Sequence, residues 1–200
     1  MKPFIYLASQ SPRRSQLLSQ LGMEHRLLLP DASEDSEALE VVLPGEAPLD
    51  YVQRVTGLKL QAALARLTRL QWPLAPVLCA DTTVALGRTI LGKPQDAAHA
   101  SQMLKQLAGR SHRVMTAIAL GDGVRVVRAC SVSRVRFAPL SDSECAAYVA
   151  SQEPMGKAGA YAVQGLAAAF IQRIEGSYSG IMGLPLFETA QALRDIKVLE

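Results

Sequence analysis

The chain of 200 residues is 49% hydrophobic and 20% charged, which describes one globular domain spanning 1–200 with apolar material for a sizeable core. Its formal charge of +3 is spread along the sequence and its few aromatics never interleave with basic residues, so a small anionic ligand fits better than nucleic acid. Cysteines and histidines stand too far apart for a disulfide framework or a zinc site, and no run resembles a signal peptide or the ~20 apolar residues of a membrane span, so a reducing, cytoplasmic location without a membrane partner is expected.

In chain order, the first expected strand is Phe4-Ile5-Tyr6-Leu7-Ala8, which breaks into Ser9-Gln10-Ser11-Pro12-Arg13-Arg14 and then into a helix carrying Leu17, Leu18 and Leu21 and closed by Gly22. Ser11 suits the N-cap, and Pro12 suits the first helical position, whose N–H would be unpaired anyway. Arg13 and Arg14 fall in the first turn, where the helix dipole is positive and each cation costs roughly 0.3–1 kcal/mol. Two readings stay open: a pair of solvated arginines, or an anion held by the free N–H groups, the Ser9 and Ser11 hydroxyls and the guanidinium forks.

A short strand at 27–29 leads into an acidic, proline-containing connection with Asp31, Glu34, Asp35, Glu37, Glu40, Glu46 and Asp50. A helix over 51–70 places Val52, Val55, Leu58 and Ala62 on its apolar stripe and Lys59 off its centre. The run Val77-Leu78-Cys79-Ala80 reads as a buried strand that passes through Asp81-Thr82-Thr83 and continues to Leu86. An aspartate inside such a strand is costly unless it is partnered or functional. After Ile90-Leu91-Gly92-Lys93-Pro94, a helix opened by Asp96 carries Ala100, Met103, Leu104 and Leu107 and ends at Gly109. Strands over 113–120 and 124–137 flank the Gly121-Asp122-Gly123 turn, and a capping box of Ser141 with Glu144 starts another helix. A strand over 167–174, a glycine-punctuated loop over 176–183 and a final helix opened by Pro185 complete an α/β pattern.

The Ser/Arg loop, Glu34, Asp81 and Lys93 could converge on one anionic ligand. Lys93 alone reads equally as a surface lysine, and Glu34 is one acid of seven in its stretch. Asp81 is the strongest candidate, because Cys79, Ala80 and Val84 around it imply burial. Carboxylates facing a basic phosphate site make sense when a divalent cation bridges them to phosphate oxygens.

Five motifs stand in register: Leu7-Ala8-Ser9-Gln10-Ser11-Pro12-Arg13-Arg14, Ala80-Asp81-Thr82, Gly92-Lys93-Pro94, Lys157-Ala158-Gly159-Ala160-Tyr161 with Gln164-Gly165, and Gly183-Leu184-Pro185. In this order and spacing the chain resembles the Maf family of nucleoside triphosphate pyrophosphatases. The resemblance implies a mixed, twisted sheet flanked by helices in two lobes around a nucleotide-binding cleft. It also implies a divalent cation (Mg²⁺ or Mn²⁺), hydrolysis of a nucleoside triphosphate to monophosphate and pyrophosphate, and a homodimer. By position, Asp81 matches the family's catalytic acid/base, and Ser9, Arg13, Arg14, Glu34, Lys59 and Lys93 match its phosphate and metal constellation, with Glu34 sharing the metal with Asp81. The chemistry agrees: water attacking the α-phosphorus needs a carboxylate to take its proton, and the leaving oxygens need cations.

Two departures stand out, Ser33 where the family often has an acid, and Leu58-Lys59-Leu60 where it has Glu-Lys-Ala. Arg13, Thr82 and Gln164 resemble the branch acting on dTTP and UTP, while the branch acting on 7-methyl-GTP has Trp, Gln and Glu there. A Gln164 amide can donate to a pyrimidine carbonyl and accept from its ring N–H, though a surface amide in a glycine-rich loop is the plain alternative. The family resemblance also implies a competing functional class, a nucleotide-binding regulator of septum formation that acts by protein contact. Such a binder has no use for a buried Asp81, which favours the enzyme.

Overall fold

The computed structural model describes residues 3–31, 34–35 and 38–199. Among the described residues seven strands, β1 (Phe4–Leu7), β2 (Glu24–Leu27), β3 (Val77–Leu86), β4 (Thr89–Leu91), β5 (Ser111–Gly121), β6 (Val126–Phe137) and β7 (Ile171–Glu175), form one sheet in the order β2-β1-β3-β5-β6-β7, with β4 paired to β3 off this path. β1 runs parallel to β2 and β3, and the other pairings are antiparallel. The helices are α1 (Pro12–Gln20), α2 (Pro48–Arg69), α3 (Ala97–Leu107), α4 (Asp142–Ala150), α5 (Tyr178–Met182) and α6 (Leu186–Asp195). Among the described residues no helix is long and apolar enough to cross a membrane.

The period of two along the central strands sorts their side chains onto two faces. Ile5, Leu7, Leu78, Ala80, Ile118 and Leu120 pack with Leu17 and Leu18 of α1 and Leu193 of α6. Tyr6, Val77, Cys79 and Ala119 point the other way, onto Leu60, Ala63 and Leu67 of α2. A second lobe gathers α3 and α4 around Phe137, Val135, Val114 and Val84, where Leu104 and Leu107 are fully buried. Each such side chain removed from water contributes about 1.5–3 kcal/mol.

Between the lobes the sheet splits. β1 meets β3 only at Val77 and Leu78, and β4 meets it only from Val84 to Leu86, whereas β5 pairs with β3 continuously from Val77 to Ala85. Among the described residues, 79–83 therefore have a ladder partner on one side only, and the gap on the other side leaves a central strand edge open to a ligand.

Several sequence expectations shift. β2 lies at Glu24–Leu27 instead of 27–29: it is a mostly exposed edge strand with little apolar signal, held by its pairing with β1. α2 buries Tyr51, Val52, Val55, Thr56, Leu60, Ala63, Arg66 and Leu67, while Leu58 and Ala62 are only half-buried. That helix is apolar around much of its circumference, so periodicity alone leaves its rotation open. Residues 166–170 are 3₁₀ turns and only Ile171–Glu175 is strand. The cause is remote in sequence, because the Glu153 carboxylate accepts from the backbone N–H of Leu166 at 2.9 Å and turns the chain there. The loop over 176–183 contains α5, whose cap is the Ser177 hydroxyl accepting from Gly180 N–H at 3.0 Å. The Ser141/Glu144 capping box forms as expected.

Candidate functional site

The split in the sheet opens into a cavity of about 680 Å³, within the usual ~300–1,000 Å³ of small-molecule sites. Ser9, Arg13, Arg14, Glu34, Lys59, Asp81, Thr82 and Lys93 all stand on its wall. Gln164 does not: it is exposed, one residue beyond the wall residue Val163. Ser33 lies outside the described residues.

Asp81 shares its strand face with Cys79 and so faces α2, where Lys59 meets it. Lys59 Nζ donates to Asp81 Oδ1 at 2.6 Å and to Glu40 Oε1 at 2.8 Å. Burial alone would lower the Lys59 pKa, but Asp81 and Glu40 outweigh it and hold the ammonium above its ordinary value. Asp81 is only 8% exposed, and its Oδ2 has no hydrogen-bond partner among the described residues. Glu40 also accepts from Lys93 Nζ, through Oε2 at 3.0 Å.

Thr82, one residue on, faces the opposite side, towards α1. Arg14 donates from Nη2 to Thr82 Oγ1 at 3.3 Å, from Nη1 to Ser9 Oγ at 3.2 Å and from Nε to the Gly183 carbonyl at 2.8 Å. Thr116 Oγ1 donates to the Gly180 carbonyl at 2.7 Å, which makes it the acceptor in its 2.9 Å bond with Thr82. A directed chain thus runs from Arg14 through two hydroxyls to a backbone carbonyl. Burial lowers the Arg14 pKa, with Asp81 as the chief opposing influence. Arg13 donates only from Nε, to the Met182 carbonyl at 3.3 Å, so among the described residues both terminal nitrogens of its fork are free. The Ser11 hydroxyl makes no cap bond, contrary to its expected role; instead its N–H donates to Ser9 Oγ at 3.2 Å. The first turn of α1 therefore keeps N–H groups without a side-chain acceptor, as an anion site requires.

Glu34 is placed differently from the expectation that it joins Asp81. Its Oε1 accepts from Arg66 Nε at 2.7 Å and Arg69 Nη2 at 2.8 Å, and its Oε2 from Arg66 Nη2 at 2.5 Å. The Arg66 hydrogen bonds, chiefly, hold its carboxyl down at about 2. It neutralises a buried arginine, and the acid that joins Asp81 around Lys59 is Glu40. Sequence reasoning passed over Glu40 because nothing periodic distinguishes it from its acidic neighbours. Thr116, a polar break in an apolar strand, was a readable signal. Lys157 also lines the cavity, donating to the Glu153 carbonyl at 2.5 Å; burial lowers its pKa, and the charge of Arg13 adds to the effect.

Among the described residues no three or more His, Cys, Asp or Glu side chains gather into a metal cage. A hard cation that keeps waters and arrives on phosphate oxygens needs only one or two carboxylates from the protein, and the free Oδ2 of Asp81 fits that demand. Glu34, with both oxygens engaged by arginines, fits it poorly.

Residues 4–196 match the family described as Maf-like protein. The dTTP/UTP pyrophosphatase of Albidiferax ferrireducens is 65% identical over 194 residues, covering 97% of each chain. That of a Polaromonas species is 61% identical over 191 residues, 96% of this chain and 95% of its own. A solved nucleoside-triphosphatase/dITP/XTP pyrophosphatase from Mycobacterium abscessus matches 68% of this chain and 75% of its own at 19% identity and a TM-score of 0.44, too loose a likeness to add to these.

Proposed function

Because the chain belongs to the Maf-like protein family, we infer that it is a pyrophosphatase that hydrolyses dTTP and UTP to the nucleoside monophosphate and pyrophosphate. The observation that carries the reading is Asp81, a buried carboxylate at the split of the sheet, with one oxygen on Lys59 and the other free on the wall of a cavity rimmed by cations.

In this mechanism the triphosphate docks on the free nitrogens of Arg13, the first turn of α1 and Arg14, with its outer phosphates toward Lys59 and Lys93. Ser9 and Thr82 hold the Arg14 fork in place. Asp81 accepts the proton of the attacking water as the new bond to the α-phosphorus forms and the bond to the bridging oxygen breaks. The pyrophosphate leaves with its charge spread over the arginines and lysines. A divalent cation, Mg²⁺ or Mn²⁺, held by phosphate oxygens and Asp81, would supply further neutralisation of the phosphate charge. Gln164, exposed just beyond the wall residue Val163, carries in its amide the donor and the acceptor that a pyrimidine edge at the cavity rim would require. Thr82 is a small side chain on the cavity wall whose hydroxyl serves Arg14.

The buried Asp81 favours this enzyme over a septum regulator acting by protein contact. A cytoplasmic location agrees with the free cysteines, and a homodimer follows from the family likeness alone. The test is a panel of UTP, dTTP, CTP, GTP and 7-methyl-GTP with Mg²⁺ or Mn²⁺, followed by product identification. UMP or dTMP together with pyrophosphate is the expected result. Release of inorganic phosphate with a nucleoside diphosphate, or no turnover of UTP and dTTP, refutes the reading.

A further inference from the structure

The mechanism gives Glu40 no part, yet its carboxylate sits on the cations that the outer phosphates need. One side chain spans both ammonium groups, Oε1 to Lys59 at 2.8 Å and Oε2 to Lys93 at 3.0 Å. The side chain is 26% exposed, and burial by itself would favour its neutral form, but Lys59 and then Lys93 keep it ionised. Its backbone has an anchor separate from those lysines. The 3₁₀ turn Ala38–Glu40 is tethered by the Tyr51 hydroxyl of α2, which donates to the Glu40 backbone carbonyl at 2.9 Å. The backbone is thus kept within reach of both lysines, so that the carboxylate can re-engage them whenever they are free.

We propose that Glu40 competes with the pyrophosphate group for Lys59 and Lys93 and so drives pyrophosphate out of the site after hydrolysis. The proposal rests on the pyrophosphatase reading for its choice of ligands. A triphosphate offsets the loss of Glu40 from the lysines through its further contacts at Arg13 and Arg14, because a second contact within one ligand is effectively intramolecular. Free pyrophosphate has lost the covalent link to those contacts, and the resident carboxylate then meets it on equal terms. A nucleoside monophosphate held at Arg13 and Arg14 does not contend with Glu40.

The experiment is isothermal titration of pyrophosphate and of UMP into the full chain and its Glu40→Gln variant, in metal-free buffer so that a lost metal ligand cannot account for the result. Pyrophosphate should bind the variant about tenfold more tightly, as two part-exposed ion pairs no longer compete with it, and UMP should change less than about twofold. Glu40→Ala should move pyrophosphate in the same direction, because it also removes the amide oxygen that Gln keeps for Lys59. Unchanged or weaker pyrophosphate binding in both variants overturns the proposal. So does an equal tightening of UMP, which marks a general charge effect. These outcomes are separate from the parent reading: a wild-type protein that turns over UTP while its variants bind pyrophosphate unchanged refutes the Glu40 role alone. A protein inert to UTP whose variants tighten on pyrophosphate refutes the enzyme and leaves the competition standing.

Discussion

Replacing Gly159 with alanine should destabilise the protein by about 2–5 kcal/mol, from two sources that can be separated. Gly159 has φ +69° and ψ 11°, and its N–H donates to the Gly92 carbonyl at 3.0 Å, so the left-handed backbone is fixed from outside. An L side chain in that conformation costs roughly 1–2 kcal/mol. An added Cβ would also lie 2.8 Å from Val84 Cγ1 and 2.9 Å from Val84 Cβ and Cγ2, a contact with the stiff, branched part of a central-strand side chain. Overpacking of that kind costs about 1–3 kcal/mol more. Urea unfolding should show a lower midpoint at constant slope, and Tm should fall by roughly 4–20 °C. Val84→Ala removes the two methyl contacts and leaves only the one to Cβ, so the double variant should cost less than the two singles added together, by about 1–2 kcal/mol. Val84 and Ala158 both line the cavity, and Gly92 precedes Lys93, so KM for UTP should rise in Gly159→Ala. A loss below about 1 kcal/mol, or strict additivity with Val84→Ala, would refute the reasoning.

Asp81→Asn should lower kcat on UTP by about 10²–10⁴ while leaving Tm nearly unchanged, because the amide oxygen still accepts from Lys59 but cannot take a proton from water; comparable turnover removes Asp81 from the mechanism. Gln164→Glu should lower kcat/KM for UTP and dTTP by about 1–3 kcal/mol in free-energy terms, with a smaller loss on GTP and 7-methyl-GTP. Equal losses on all four would make Gln164 a shaper of its loop. His112 is 2% exposed, its Nε2 bonds the Tyr161 hydroxyl at 2.8 Å, its Nδ1 has no partner among the described residues, and burial pushes its pKa down to about 4. The unfolded chain takes up that proton near pH 6.5, so the stability His112 allows at pH 7 should be lost as pH falls from 6.5 towards 4, by about 3 kcal/mol. Chemical unfolding across that range should show a clearly flatter pH dependence in His112→Gln, and an identical slope would clear His112 of the effect.

β3 was legible to the residue. Burial on both faces makes it a continuous apolar run, and Pro76 and Gly87 bound it, so the expected 77–86 coincides with Val77–Leu86. α3 was equally plain, since Ala100, Met103, Leu104 and Leu107 at helical spacing are all buried. β2 left no such mark, being polar and held only by its neighbour. Ser9, Arg13, Arg14, Asp81 and Lys93 could be picked out from residue type and placement, whereas Lys59 and Thr82 entered through the family resemblance, and all seven line one cavity. The choice between Glu34 and Glu40 could not, because both stand in a non-periodic acidic stretch. Which acid meets which cation there depends on the rotation of α2, which sets Lys59 beside Glu40 and Arg66 beside Glu34.

The bonds from Arg13 to the Met182 carbonyl and from Arg14 to the Gly183 carbonyl join positions 169 residues apart. The loop that carries these arginines leaves a ribosome well before the carbonyls that close it. At about 5–20 residues per second, roughly 8–34 s of synthesis separate the two ends of each bond. During that interval a nascent chain can fold local units such as α3 on its neighbouring strands, but its arginine forks have no backbone to close on. Contacts of such long sequence separation also place completion of the site late in refolding from denaturant. Nucleotide binding should therefore appear after most of the helical signal has returned.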